Sequence, residues 1–225
     1  MTNTLHRQGT PESLGRDYVV FATVAKGYNE QGAEEKKRRF LEIAYKHGPV
    51  NSAIIREPEV VDEGEEWVWS ALAPPTVDPE RALEKFTGSP HATATFDNLE
   101  AAQRFVGDLQ EADLGISINI SGPLDQASGC CRALGMQRHS VEHSLGIFGK
   151  KEHLPSKEVQ EINTMCGHGM VSFNFVAKII DYIRLGILTP EQGAEYLARP
   201  CTCGAFNTRR ATELLGDTRS ASESP

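Results

Sequence analysis

The chain has 225 residues, 39% of them hydrophobic and 24% charged, which excludes a disordered composition and is long enough to bury a full core without staples. Its net charge of -8 repels phosphate backbones and argues against nucleic acid as a partner. Five cysteines, no N-terminal apolar signal segment and no membrane-length apolar run lead to the expectation of a cytoplasmic protein. In a reducing compartment those thiols are expected to serve metal binding, catalysis or burial rather than structural disulfides.

Residues 1–16 are polar and carry Gly9, Pro11 and Gly15, which reads as a loose arm. A first strand follows at Tyr18–Ala25, nearly continuous in apolar residues, as expected of a strand buried on both faces. Asn29 is a candidate N-cap for a helix over 30–46, whose Phe40, Ile43, Ala44 and His47 recur at helical spacing. Its basic run Lys36–Arg39 is preceded by Glu34 and Glu35 at i,i+4 spacing, the pattern of a solvated helix face. Gly48-Pro49 ends it.

Residues 57–66 read as an acidic surface loop, Trp67–Ala73 as a second strand and 79–87 as a short helix. His91–Phe96 reads as a strand, and Asp97 or Asn98 caps a helix to about 111. Gly115–Ser121 alternates cleanly, with Ile116, Ile118 and Ile120 on one side and Ser117, Asn119 and Ser121 on the other. A helix over 124–134 carries Cys130 and Cys131, one of which is expected in the core and either of which is a candidate fourth metal ligand or resolving thiol. His139–Phe148 reads as another strand, with His139 and His143 on its apolar face and Ser140, Glu142 and Ser144 on its polar one. The β-α-β-α-β order predicts an α/β or α+β fold over 17–155, with a ferredoxin-like arrangement as one form.

From 156 to 216 the pattern turns helical, with helices predicted at 157–163, 170–186, 190–198 and 207–215. Thr189-Pro190 is a helix start signal. Residues 217–225 read as a frayed tail.

Two thiol segments flank the predicted 170–186/190–198 helical hairpin: Cys166-Gly167-His168-Gly169 before it and Cys201-Thr202-Cys203-Gly204 after it. The hairpin would return Cys201 and Cys203 towards Cys166. The dipole of the following helix would lower the pKa of Cys166. Gly167, Gly169 and Gly204 would let backbone approach a bulky cofactor.

Soft thiolates suit iron–sulfur clusters and zinc alike. The leading expectation is a [4Fe–4S] cluster on Cys166, Cys201 and Cys203 with one iron open to a small-molecule substrate. His168, Glu142 and His143 would then be acid–base groups of a lyase or oxidoreductase, in dehydratase, sulfur-handling or redox chemistry, or the cluster would serve a redox partner protein. The alternative is a structural zinc site of the Cys₃His type, with His168 as fourth ligand, in an accessory or binding protein. A metal-free acid–base pair of thiols is the third reading.

The tetrapeptide Cys166–Gly169 resembles the stretch around one catalytic cysteine of proline racemase-like enzymes. That resemblance implies a second cysteine, Cys201 or Cys203, acting across a substrate α-carbon. It is confined to this stretch, and the family's paired lobes need a longer chain. Phosphate-loop, dinucleotide, nucleophile-elbow and zincin signatures are missing from the sequence.

Overall fold

A computed structural model describes residues 6–53, 83, 92–201 and 203–222. Eight α-helices and four strands lie among them: α1 (Pro11–Leu14), β1 (Tyr18–Thr23), α2 (Ala33–Tyr45), β2 (Asn51–Ser52), β3 (Ala92–Phe96), α3 (Leu99–Ala112), β4 (Ser117–Ser121), α4 (Leu124–Ala133), α5 (Lys157–Asn163), α6 (Phe173–Arg184), α7 (Pro190–Ala198) and α8 (Thr208–Ser222). The fold is mixed α+β. The sheet runs β2-β3-β1-β4, and every pairing is antiparallel.

Alternation within β1 explains the two layers that cover this sheet. Tyr18, Val20 and Ala22 face one core, shared with Phe40 of α2 and Phe105 of α3. Phe40 and Phe105 meet edge to face there, with ring centroids 5.0 Å apart. Val19 and Phe21 face a second core built from α5, α6, α7 and α8. A strand buried on both faces is thus what the continuous apolar run encodes, although its neighbours are antiparallel. On β4, Ile118 and Ile120 pack into the first core. Asn119 points the other way and donates through Nδ2 to Thr23 Oγ1 at 3.1 Å.

Caps account for most helix starts. Asn98 accepts from the Ala101 N–H, Ser156 from Val159, Ser172 from Phe175, and Thr189 forms a full capping box with Gln192. Asn29 does not cap α2, which starts at Ala33 after Gly32. It ties the loop down instead: its Oδ1 accepts from the Ala25 N–H at 2.7 Å, and its Nδ2 donates to the Gly115 carbonyl at 3.0 Å.

Four expectations are corrected. His139–Phe148 is irregular chain, and its apolar side chains are exposed, Leu145 by 77% and Phe148 by 79%. Alternation alone does not make a strand without a partner to pair with, and Gly146 at φ 91° breaks the extended run. The N-terminal arm is not loose over 6–16. Arg7 and Asp17 are buried, and Arg7 Nη1 lies 2.8 Å from Asp17 Oδ1. The tail is helical to Ser222 rather than frayed from 217. The helix after the first thiol segment starts at Phe173, three residues later than its pattern suggests. The loop 57–66, the strand Trp67–Ala73, His91 and, apart from Leu83, the helix 79–87 lie outside the described residues. Among the described residues no helix is long and apolar enough to cross a membrane.

Candidate metal centre

The first thiol segment sits in the turn between α5 and α6. Asn163 Nδ2 donates across it to the Val171 carbonyl and closes it into a compact loop. Thr164 anchors its start, accepting at Oγ1 from the Gln8 N–H at 2.9 Å and donating to the Gln160 carbonyl at 2.7 Å. Met165 and Val171 are fully buried on either side, so the loop is fixed by packing as well.

The second segment follows α7 and lies along the β2 side of the sheet. Asn51 Nδ2 donates to the Phe206 carbonyl at 2.8 Å, Thr208 Oγ1 to the Val50 carbonyl at 3.1 Å, and Thr95 Oγ1 to the Gly204 carbonyl at 2.7 Å. Gly204 has φ 72°, and a Cβ there would stand 2.1 Å from the Ser52 carbonyl carbon. Only glycine meets both conditions. It packs closely against the backbone of β2. Gly167 and Gly169 also have positive φ, at 78° and 69°, and turn the first loop.

The helical hairpin brings the segments together. Twelve residues in α6 against nine in α7 leave an axial difference of about 4.5 Å, which the chain after Ala198 makes up. Cys166 Sγ lies 3.8 Å from Cys203 Sγ, and Cys203 Sγ lies 3.5 Å from Cys201 Sγ. His168 Nδ1 stands 3.3 Å from Cys203 Sγ and 3.7 Å from Cys166 Sγ. Cys166, His168 and Cys203 present ligand atoms all within 4.8 Å of one another, a group that could hold a metal ion. All three cysteines are free thiols.

Burial grades across the group. Cys166 and Cys201 are 1% and 2% exposed, Cys203 is half-buried, and His168 is exposed. The Phe206 N–H donates to Cys201 Sγ at 3.3 Å. Cys201 is accordingly the thiol whose pKa falls, first because Cys166 and Cys203 donate to it and then through backbone N–H groups of Phe206 and Ala205. Cys166 and Cys203 are pushed up, Cys166 foremost by its bond to Cys201 and Cys203 foremost by its bond to Cys166. The helix-dipole expectation for Cys166 is therefore reversed: Cys166 precedes the N-cap Ser172 by half a dozen residues, beyond the reach of a terminal dipole.

The remaining candidates lie elsewhere. Cys130 belongs to the core on the opposite face of the sheet, and burial, with Cys131 beside it, pushes its thiol up to about 11. It therefore serves the core and not the thiol group, and its neighbour Cys131 follows it on α4. Glu142 and His143 are exposed in the irregular segment, as is His139, so the shared strand face imagined for them does not form. Ser144 Oγ meets His6 Nδ1 at 3.2 Å.

A second polar constellation escaped the sequence. Asp17, fully buried, receives Arg7 on Oδ1 and Arg210 Nη1 on Oδ2, each at 2.8 Å, and Asn207 Nδ2 on Oδ1 at 3.2 Å. Arg210 also donates from Nε to Ser13 Oγ at 2.9 Å and from Nη2 to the Gln8 carbonyl at 2.7 Å. Its members are far apart in the chain and carry no local motif. The Arg209-Arg210 pair, just after Asn207, is one of two such pairs in the chain, the other being Arg38-Arg39, and so singles out no site. Comparison with family models, with curated proteins and with solved structures gave no match.

Proposed function

We propose that this chain holds a single zinc ion through Cys166, Cys203 and His168, with Cys201, 3.5 Å from Cys203 but outside that close group, drawn in as the fourth ligand, and that the ion clamps the ends of the α6–α7 hairpin to each other. The observation that carries this reading is the set of ligand spacings. Two sulfurs each about 2.3 Å from one tetrahedral ion stand about 3.8 Å apart, and a sulfur and an imidazole nitrogen about 3.6 Å. The separations here are 3.8 and 3.5 Å between sulfurs and 3.3 and 3.7 Å from sulfur to nitrogen. Each thiolate of a four-iron cluster binds a different iron, so its sulfurs stand roughly 6 Å apart. The [4Fe–4S] reading would need the Cys166–Cys203 and Cys201–Cys203 pairs each to open by about 2 Å against loops that are packed and hydrogen-bonded on both sides.

Zinc in a closed Cys₃His set supports folding rather than chemistry. That favours an accessory or binding protein over a dehydratase or a redox enzyme with a small-molecule substrate. The exposed positions of Glu142 and His143 in irregular chain point the same way, since they give an acid–base pair no enclosed site. The sheet order β2-β3-β1-β4 with antiparallel pairing supports a ferredoxin-like reading of the N-terminal part, a scaffold that does not by itself indicate a function.

The deciding experiment is metal and acid-labile sulfide content on protein purified without oxygen. About one zinc per chain and no sulfide is the expected result. About four iron and four sulfide would overturn it in favour of the cluster enzyme. Neither metal nor sulfide would sink both and leave the metal-free thiol pair.

A further inference from the structure

We infer that Cys166 and Cys203 form a redox couple: a peroxide joins them in a disulfide, and the oxidised protein cannot hold the metal. The inference rests on the zinc reading for the release of the ion but on geometry alone for the disulfide.

Access selects the thiol that reacts first. Cys203 is the only one of the three cysteines that is not buried, and it lies in contact distance of both others. Cys201 is enclosed, and its sulfur already accepts the Phe206 N–H. A partner on Cys201 would also close a ring across one intervening residue, a strained linkage. Cys166, 3.8 Å away and on a different loop, carries no such constraint. Its disulfide would cross-link the same two loops that the ion joins, so the hairpin would stay closed after the metal leaves.

The chemistry balances. The Cys203 sulfur attacks the peroxide; an S–O bond forms, the O–O bond breaks, and water or an alcohol leaves. Cys166 then attacks the sulfenic sulfur; the S–S bond forms, and the S–O bond breaks with loss of water. Two thiols are oxidised by two electrons, and one peroxide is reduced. Where both sulfurs begin as metal-bound thiolates, solvent supplies the two protons. The ion then keeps only Cys201 and His168 and departs hydrated.

The test treats zinc-loaded full-length protein with hydrogen peroxide, following zinc with a chromogenic chelator and the thiols by non-reducing peptide mass mapping. The expected result is a Cys166–Cys203 disulfide that forms in step with release of about one zinc per chain, reversed by a thiol reductant. Disulfide formation with the zinc retained, a Cys201–Cys203 disulfide, or conversion to sulfinic acids without any cross-link would each overturn the couple. Cys203→Ser should abolish the cross-link; because that variant also loses a ligand, the wild-type map is the primary readout. A preparation that binds no zinc yet forms the Cys166–Cys203 disulfide would overturn the metal reading and uphold the thiol couple, so the two failures are distinguishable.

Discussion

Thr95 on β3 donates its hydroxyl to the carbonyl of Gly204 at 2.7 Å, and the bond is buried. It joins the middle of the sheet to the loop that follows Cys203. The residue after that thiol is therefore tied to the N-terminal part of the chain, 109 residues from Thr95. Thr95→Val keeps the shape and removes the donor, leaving the Gly204 carbonyl buried and unpaired. The expected loss is about 1–3 kcal/mol in denaturant unfolding, together with weaker zinc binding. A loss of stability without any change in zinc affinity would mean that the loop holds its own geometry.

Gly204→Ala makes the sharper demand on the same contact. The added methyl would fall 2.1 Å from the Ser52 carbonyl carbon and 2.3 Å from the Ala53 nitrogen, both backbone atoms, at a φ of 72°. Backbone cannot step aside as a flexible side chain can. The loop has to leave the sheet, and the cost should exceed the usual 1–3 kcal/mol of an overpacked site, about 3 kcal/mol or more. Zinc titration and thermal unfolding should move together; a variant with wild-type midpoint would contradict this packing.

Ligand assignment gives the third expectation. Cys166→Ala, Cys203→Ala and His168→Ala should each remove most of the bound zinc, measured by elemental analysis after dialysis. Cys130→Ala should retain all of it, since that thiol packs against the other face of the sheet. Its effect should be confined to stability, at about 1 kcal/mol. Zinc loss in Cys130→Ala equal to that in Cys166→Ala would overturn the two-sided placement of the thiols.

That contrast marks how far the sequence could be read. The helices from 157 onward, β1, β3 and β4 announce themselves through periodicity and caps, because local chemistry alone dictates them. The meeting of Cys166 with Cys203 was legible because a short hairpin between them fixes where the chain must return. Which face of the sheet Cys130 occupies was not, because that depends on strand order. His139–Phe148 misled because alternation describes one strand and says nothing of its partner. The burial of Arg7 was hidden for the same reason: Asp17 and Arg210 are 193 residues apart, and no pattern in either neighbourhood names the other.

Alkaline pH offers a test of the β2 edge. Tyr45 hydroxyl meets Ser52 Oγ at 3.0 Å, next to the backbone that Gly204 packs on. Burial raises its pKa above 10.0, although the Ser52 bond works against that, and burial followed by the charge of Asp17 raises Tyr18 likewise. A raised folded pKa means that the unfolded chain ionises first as pH climbs. The contribution of these phenols is fully present below 10.0 and lost as pH rises through the folded values. Unfolding midpoints should be level up to about pH 9 and fall above 10, with phenolate absorbance appearing together with unfolding. Phenolate formation by all tyrosines near pH 10 in the folded protein would show that Tyr18 and Tyr45 are not shielded.

The buried ion network should matter more to stability than any exposed pair. Asp17 faces two guanidinium groups, Arg7 and Arg210, with side-chain exposures of 4% and 2%. Two positive charges around one carboxylate leave the cluster dependent on that carboxylate, while Glu161 approaches Arg210 only at 3.9 Å. Asp17→Asn preserves size and removes the carboxylate charge that lies between the two buried guanidinium groups. The expected cost is about 3–5 kcal/mol. It should come with a local signature, because Arg7 and the Gln8 carbonyl hold the N-terminal arm against α8. Trypsin should cleave after Arg7 in the variant under conditions that leave the parent chain intact. Exposed pairs such as Arg104–Glu100 give the internal control: Glu100→Gln should change stability by less than about 1 kcal/mol. If Asp17→Asn matched that control, the arm would be held by its other bonds, those of Arg7 to Ser121 and of Gln8 to Thr164 and Arg210, and not by the Asp17 charge.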